Sequence, residues 1–454
     1  MKNLFYFLFV LLSTSVILFS CKKGWENEKN AIGYIYTTTN SSSGNSIIAL
    51  ERKIDGSLEE AKYSPYSTGA TGDAGEGDFD EQWSLRIVGD YLLAVNAGNN
   101  PVNGSISVFK INKDNGRLTQ VDQNPSTPQM DNMDSRGVRP VSIAVNTSSS
   151  KTWIVVGNQF ANPNYQGDPP VKFGDVMNSD LRNLAVFTFN QSNGRLEFKK
   201  IGAVYNDGTY GGPTTVLFNS SGTKLAVDTW GVTHFLTPSP SLALQKPGRL
   251  YIYDFSDGQL SLTGMFQEEG ISGNIGLSWS PNQKYIYMAN FNITLLKGDN
   301  SVTVHDGNTA VKIQNFATGS ATDNDEACWT HVTPDNKRLY VSSFTGNIVS
   351  AFDIAGDDKL SVSLTPNFFM RRNVPMPDTK DEYEASGGFL YVNGAFQSHS
   401  VSTFKIGSDG SLTEQPGSPY HIPSSAGKTS MEQSFIGFTG FDKNLNDYKT
   451  PASQ

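Results

Sequence analysis

Acid–base chemistry needs a carboxyl, an imidazole or a guanidinium held against a reacting group. The chain offers few such residues outside evident turns. Asp228 stands in "GPTTVLFNSSGTKLAVDTWG", two residues before Trp230. Arg139 opens "RPVSIAV", and its fork of donors suits a carboxylate or a phosphate. His331, in "ACWTHV", shares a strand face with Trp329 and is a candidate general base. Glu382 and Glu384, in "DEYE", are placed to reach the same region from another segment. Each has an ordinary alternative. Asp228 could be a turn residue of a repeated scaffold, Arg139 could pair with Asp134 or another loop acid, and His331 could be a hydrogen-bonded interior residue.

Other chemistries lack their residues. No serine sits on a strand–turn–helix elbow, no histidines have zinc spacing, and no nucleotide fingerprint occurs, so no cofactor is expected. Acidic runs lie at Asp73–Glu81, Asp131–Asp134, Asp323–Glu326 and Asp381–Glu384. Hard cations want several oxygens, but none of these runs has the spacing of a calcium loop. They read as solvated turns, and no metal is assigned. The net charge of −9 with no basic stripe argues against nucleic acid.

What positions these residues is a repeat. One apolar strand returns as "IGYIYTTTN", "DYLLAVNAG", "KTWIVVGNQ", "TKLAVDTWG", "KYIYMANFN", "KRLYVSSFT" and "GGFLYVNGA". A second short strand follows each copy, and several then carry Asp-Gly or Asn-Gly turns, as at Asp55-Gly56 and Asn115-Gly116. A further strand lies upstream in "PVSIAV", "PTTVLF", "IGLSWS" and "CWTHV". Seven such units cannot each bury two faces alone, whereas radial stacking around a channel buries them all. The expected fold is an all-β, seven-bladed β-propeller over residues 32–441. Blade 1 lacks an innermost strand, and Glu432–Gly440 is a spare one, so the C-terminal segment is expected to close the ring in blade 1.

Strand direction puts the ends of the second strands at one face, called the top. Just past those ends come Trp230, Phe291, Phe344 and Phe396 in blades 4 to 7, with Gln159 and Phe160 in blade 3. Two readings stand side by side: local packing over each blade end, or a rim that stacks on a ring-shaped ligand together with Glu382. His234 is also near the top loops.

The chain opens "MKNLFYFLFVLLSTSVILFSC", a basic residue and an apolar run ending at Cys21. This reads as a lipoprotein signal peptide over residues 1–20, with Cys21 the lipidated first residue. Residues 21–31 would be a linker and 442–454 a tail. Acyl chains on Cys21 would anchor the domain to a lipid bilayer, at the periplasmic or outer-membrane surface of a bacterial cell envelope. Cys328 is then the other cysteine, expected to be buried and inert.

The segments "YLLAVNAG", "GSISVFKI", "DNGRLTQV", "SWSPNQKYIYMANF", "VTPDNKRLYVSSF" and "GGFLYVNGAFQSHSVSTFKIGSDGSLT" resemble the lactonase-like seven-bladed propellers. That family includes 6-phosphogluconolactonase-type and carboxymuconate lactonizing proteins. The resemblance implies a histidine pair where Thr214 and Thr215 stand, an aspartate retained as Asp228, a glutamate near Phe291 and an arginine at Phe344. Losing those charged groups removes the proton shuttle and oxyanion support that lactone chemistry requires. The expectation is therefore a propeller binding a small sugar-like or ring-bearing ligand, or an envelope protein, at its top face. The alternatives are a lactone hydrolase with a rearranged site built on Asp228, Arg139 and His331, and an envelope docking or assembly component.

Overall fold

The computed structural model describes residues 31–74, 81–98, 103–160, 180–206, 211–231, 247–291, 300–319 and 326–443. The leader, Cys21, His234 and the last eleven residues lie outside them. Among the described residues, no helix is long and apolar enough to cross a membrane.

Seven antiparallel sheets form, six of them with four strands in simple sequence order from the inside outward; in blade 1 the innermost strand comes from the C-terminal end of the described chain. In blades 1, 2, 6 and 7 the outermost position is shared by two short strands. The second strands are the repeated motif, and they are buried on both faces because a blade stands between two others. In Lys224–Thr229, Leu225 and Val227 pack towards blade 3, while Ala226 packs towards blade 5. Seven apolar clusters fill the seven junctions, including the one between blades 7 and 1. The ring is therefore closed by core as well as by hydrogen bonds.

Closure occurs in blade 1, where Ile436–Asp442 pairs with Gly33–Thr38. The strand begins later than Glu432 because residues around Thr429 are held in a turn, with the Glu432 and Gln433 N–H groups donating to the Thr429 carbonyl. It continues to Asp442, whose carboxylate takes the Arg52 guanidinium and the Ser386 N–H. Arg52 also donates to Ser386 Oγ at 3.0 Å. Blade 7 is thus tied to the blade that contains both chain ends.

The recurrent tyrosine of the motif has a structural role. The hydroxyls of Tyr36, Tyr340 and Tyr391 donate to carbonyls in the next blade's bottom turn, at Gly116 (2.8 Å), Gly410 (3.0 Å) and Gly56 (3.0 Å). Gly116 has φ +66°, and a Cβ there would sit 2.2 Å from the Tyr34 ring, so Asn-Gly is required for packing as well as for the turn.

One segment belongs to no repeat. Residues Glu81–Ser84, leading into the inner strand Leu85–Val88 of blade 2, cross the centre of the ring. The Gln82 N–H donates to Thr214 O in blade 4, and its carbonyl accepts from Ser142 Oγ in blade 3. Its side chain donates to Thr330 O in blade 6 and reaches Asp381 in blade 7. Glu81 accepts from Gly437 N in blade 1. In blade 5, a Cβ on Gly276 would lie 2.7 Å from Gln82 Oε1.

Candidate functional site

At the top, the four aromatics that follow the second strands converge. Trp230, Phe291 and Phe344 are buried with Ile275, Cys328 and Trp329, and Phe396 packs half-buried at their edge. The rings meet edge to face, Trp230 on Phe291 at 6.0 Å and Phe344 on Phe396 at 5.5 Å. They pack as one cluster over the ends of blades 4 to 7. Cys328 is buried, in no disulfide, and its thiol donates to Glu326 O at 3.1 Å. Trp329 Nε1 donates to the Glu81 carbonyl at 2.6 Å, so the cluster rests on the central segment.

Asp228 lies beneath this cover, on the second strand of blade 4, paired with Thr215 on one side and Leu250 on the other. It is wholly inaccessible, and neither carboxyl oxygen has a hydrogen-bond partner. Burial alone pushes its acid well above the usual carboxylate range. Thr214 and Thr215, which stand where the resemblance implies histidines, instead stitch blade 4 to blade 5. Thr214 Oγ1 reaches Asp228 O at 3.2 Å and donates to Asn274 O at 2.8 Å; Thr215 Oγ1 donates to Ile275 O at 2.6 Å.

Arg139 and His331 have other company. Arg139 Nε sits 2.9 Å from Asp73, and Nη1 donates to Gln159 Oε1 at 3.0 Å. Asp134, the other acid considered for it, accepts from Asn103 and lies 3.8 Å from Arg136. His331 Nε2 is 3.2 Å from Glu384, on the face of blade 6 turned to blade 7. Inner strands run from top to bottom, and His331 is the fifth residue of Ala327–Val332, so it stands towards the lower end. The three residues named as an acid–base set thus engage three separate groups of neighbours.

Glu382 is buried within a second assembly that the sequence did not single out. Its carboxyl is raised well above the usual range by burial first, then by Asp381 and Glu384. Asp381 is pushed up to about 7 by burial, against the Glu382 N–H, Gln82 and His331. Glu81 goes up to about 8, through burial and then the charge of Asp381, opposed by Lys380. Arg86 is drawn down to about 10 by burial, with Asp381 opposing. Lys380 lies over the Trp329 ring at 5.9 Å. These groups surround the central segment, where Glu81 had been read only as the end of an acidic loop. The available signal was that Glu81-Gln82-Trp83 directly precedes an inner strand and has no counterpart in the other repeats. Among the described residues, no group of three or more His, Cys, Asp or Glu side chains is placed to hold a metal ion.

No known family profile matches the sequence, and no curated protein matches it. Solved structures do resemble it. A candidate 6-phosphogluconolactonase from Bacteroides fragilis is 14% identical, with a TM-score of 0.59, covering 90% of this chain and 98% of its own. A periplasmic gluconolactonase from Pseudomonas aeruginosa is 13% identical, with a TM-score of 0.59, over 90% of this chain and 99% of its own. A Lactobacillus plantarum protein gives 15% identity and a TM-score of 0.58, over 90% and 99%. At such identity the likeness establishes the shared fold, a seven-bladed propeller.

Proposed function

We propose that the protein is an exported, lipid-anchored, lactonase-like propeller that binds a small sugar-like or ring-bearing ligand at its top mouth. Cys21, after the apolar leader, carries the anchor. Trp230, Phe291, Phe344 and Phe396 supply apolar ring faces and edges, and Asp228 supplies the polar contact beneath them. One observation carries this reading: a carboxyl at the mouth, fully buried, with no partner of its own. An unpartnered buried acid is costly, and folds keep such groups where a ligand or a reaction uses them. The periplasmic gluconolactonase of the same fold adds a sugar lactone as the ligand class to try first.

The test is calorimetric titration of the purified protein with a panel of aldonolactones and cyclic sugars. Wild type is expected to bind at least one member, and Trp230→Ala is expected to weaken it at least tenfold. No binding across the panel would overturn the reading.

A second reading, lactone hydrolysis, is favoured by the same acid. A carboxyl whose acid burial raises well above its ordinary range holds its proton more tightly and can give it to a leaving alkoxide. Hydrolysis of glucono-1,5-lactone above the buffer rate, lost in Asp228→Asn, would support it. Turnover unchanged by that substitution would remove Asp228 from the chemistry.

A further inference from the structure

Asp228 is not alone in lacking partners. Asn274, first residue of the inner strand of blade 5, and Asn290, last of its second strand, are opposite one another in that sheet. Both are fully buried. Neither the oxygen nor the nitrogen of the Asn274 amide has a hydrogen bond, and Asn290 Oδ1 has none either. Trp230 Nε1 is in the same condition.

Strand alternation puts these groups at one place. Ala226, two residues before Asp228, packs in the junction between blades 4 and 5; Met288, two before Asn290, packs in that junction from the other side. Asp228 and Asn290 therefore face each other across it. Thr214 Oγ1, touching both the Asp228 and the Asn274 carbonyls, holds the third member alongside. Trp230, two residues beyond Asp228, stands over the junction against Phe291, the neighbour of Asn290.

The direction of the hydrogen bonds is fixed from the rim inward. His305 Nδ1 can bond the Ala310 carbonyl only as a donor, at 3.0 Å. Nε2 is then the acceptor, and Thr303 Oγ1 donates to it at 2.8 Å. Thr303 Oγ1 must accept from Asn290 Nδ2, at 3.0 Å. Burial, drawing the imidazole down to about 4, keeps this tautomer through neutral pH. The Asn290 amide is thereby oriented, its nitrogen on Thr303 and its oxygen without a partner. Burial raises the Asp228 acid, and neither of its oxygens has a hydrogen-bond partner.

We propose that the junction between blades 4 and 5 holds a subsite for an uncharged polyhydroxylated ligand, a cyclic sugar or its neutral lactone, bound through Asp228, Asn274 and Asn290. This rests on the mouth reading above and narrows it. The free atoms are a carboxylic acid, one amide with both ends open, one amide oxygen and one indole N–H. Hydroxyl groups, each donor and acceptor, match such a mixed set. An anion would meet two amide or acid oxygens with no cation bonded to them among the described residues.

Titration with 1,5-anhydroglucitol and glucono-1,5-lactone, against gluconate and 6-phosphogluconate, tests the assignment. The neutral probes are expected to bind at least tenfold tighter than the anions. Asp228→Leu and Asn290→Leu should each weaken the neutral probes at least tenfold. Asp228→Asn, which keeps a neutral donor and acceptor, should restore most of the loss, to within about threefold of wild type. Circular dichroism confirms that the leucine variants fold. The difference infrared spectrum of wild type minus Asp228→Asn should show a carboxylic acid band at neutral pH. Tighter binding of the anions, or Asp228→Asn as damaging as Asp228→Leu, overturns the subsite while leaving the mouth reading standing. No binding of any probe overturns both.

Discussion

Asp228 and Asp378 are equally inaccessible, yet one has no partner and the other is saturated. Asp378 takes the N–H groups of Phe396 (3.2 Å), Gln397 (2.7 Å) and Ser398 (2.9 Å), together with the Arg371 guanidinium at 3.3 Å. It anchors the top loop of blade 7, and its chemistry is spent on the fold. Asp228, on the corresponding face of the ring, accepts no hydrogen bond and forms no ion pair among the described residues. Burial therefore says little about the purpose of a carboxyl; the count of donors around it says more.

The largest expected effect breaks the saturated side of this contrast. Asp378→Ala leaves Arg371 buried without its counter-ion and should cost about 3–5 kcal/mol in urea unfolding. An effect below about 1 kcal/mol would show that water replaces the carboxylate readily.

A smaller effect comes from pH. Glu81 and Asp381 have native values near 8 and 7, above their ordinary 4.5 and 3.8. The native state then holds extra protons between those limits, so their contribution is greatest in acid and is lost as pH rises through 7 and 8. The melting temperature should fall by a few degrees, on the order of 2–4 °C per kcal/mol, from pH 5 to pH 8, and Glu81→Gln should flatten the slope. A melting temperature that rises over this range would show that these acids are ionised in the native channel.

The unpartnered side should respond with opposite sign. Asp228→Leu removes a lone polar group from an apolar junction and should raise stability by about 1–2 kcal/mol, while harming ligand binding. Destabilisation of that size would mean Asp228 has a structural task after all. The smallest effect extends the donor-counting rule to a neutral group. Tyr36→Phe leaves the Gly116 carbonyl without its 2.8 Å hydrogen bond and should cost about 1 kcal/mol.

The fold was legible because it is written seven times. Apolar strands, Asp-Gly and Asn-Gly turns and the spare C-terminal strand each recur or complete a pattern, and repetition averages out local ambiguity. The site was legible only in part. Asp228 and the mouth aromatics stand at a repeated position, so they could be compared across blades. Asn274 and Asn290 carry no signal in the sequence, because their significance is the lack of a partner, which a sequence does not display. The partners of Arg139 and His331 come from distant segments, Asp73 and Glu384, which no spacing rule connects. Glu81–Ser84 escaped for the converse reason: it occurs once.

That same segment gives the wheel a hub. Because Glu81–Ser84 meets every blade at the axis, all seven sheets are braced against the same four residues, as spokes are against an axle.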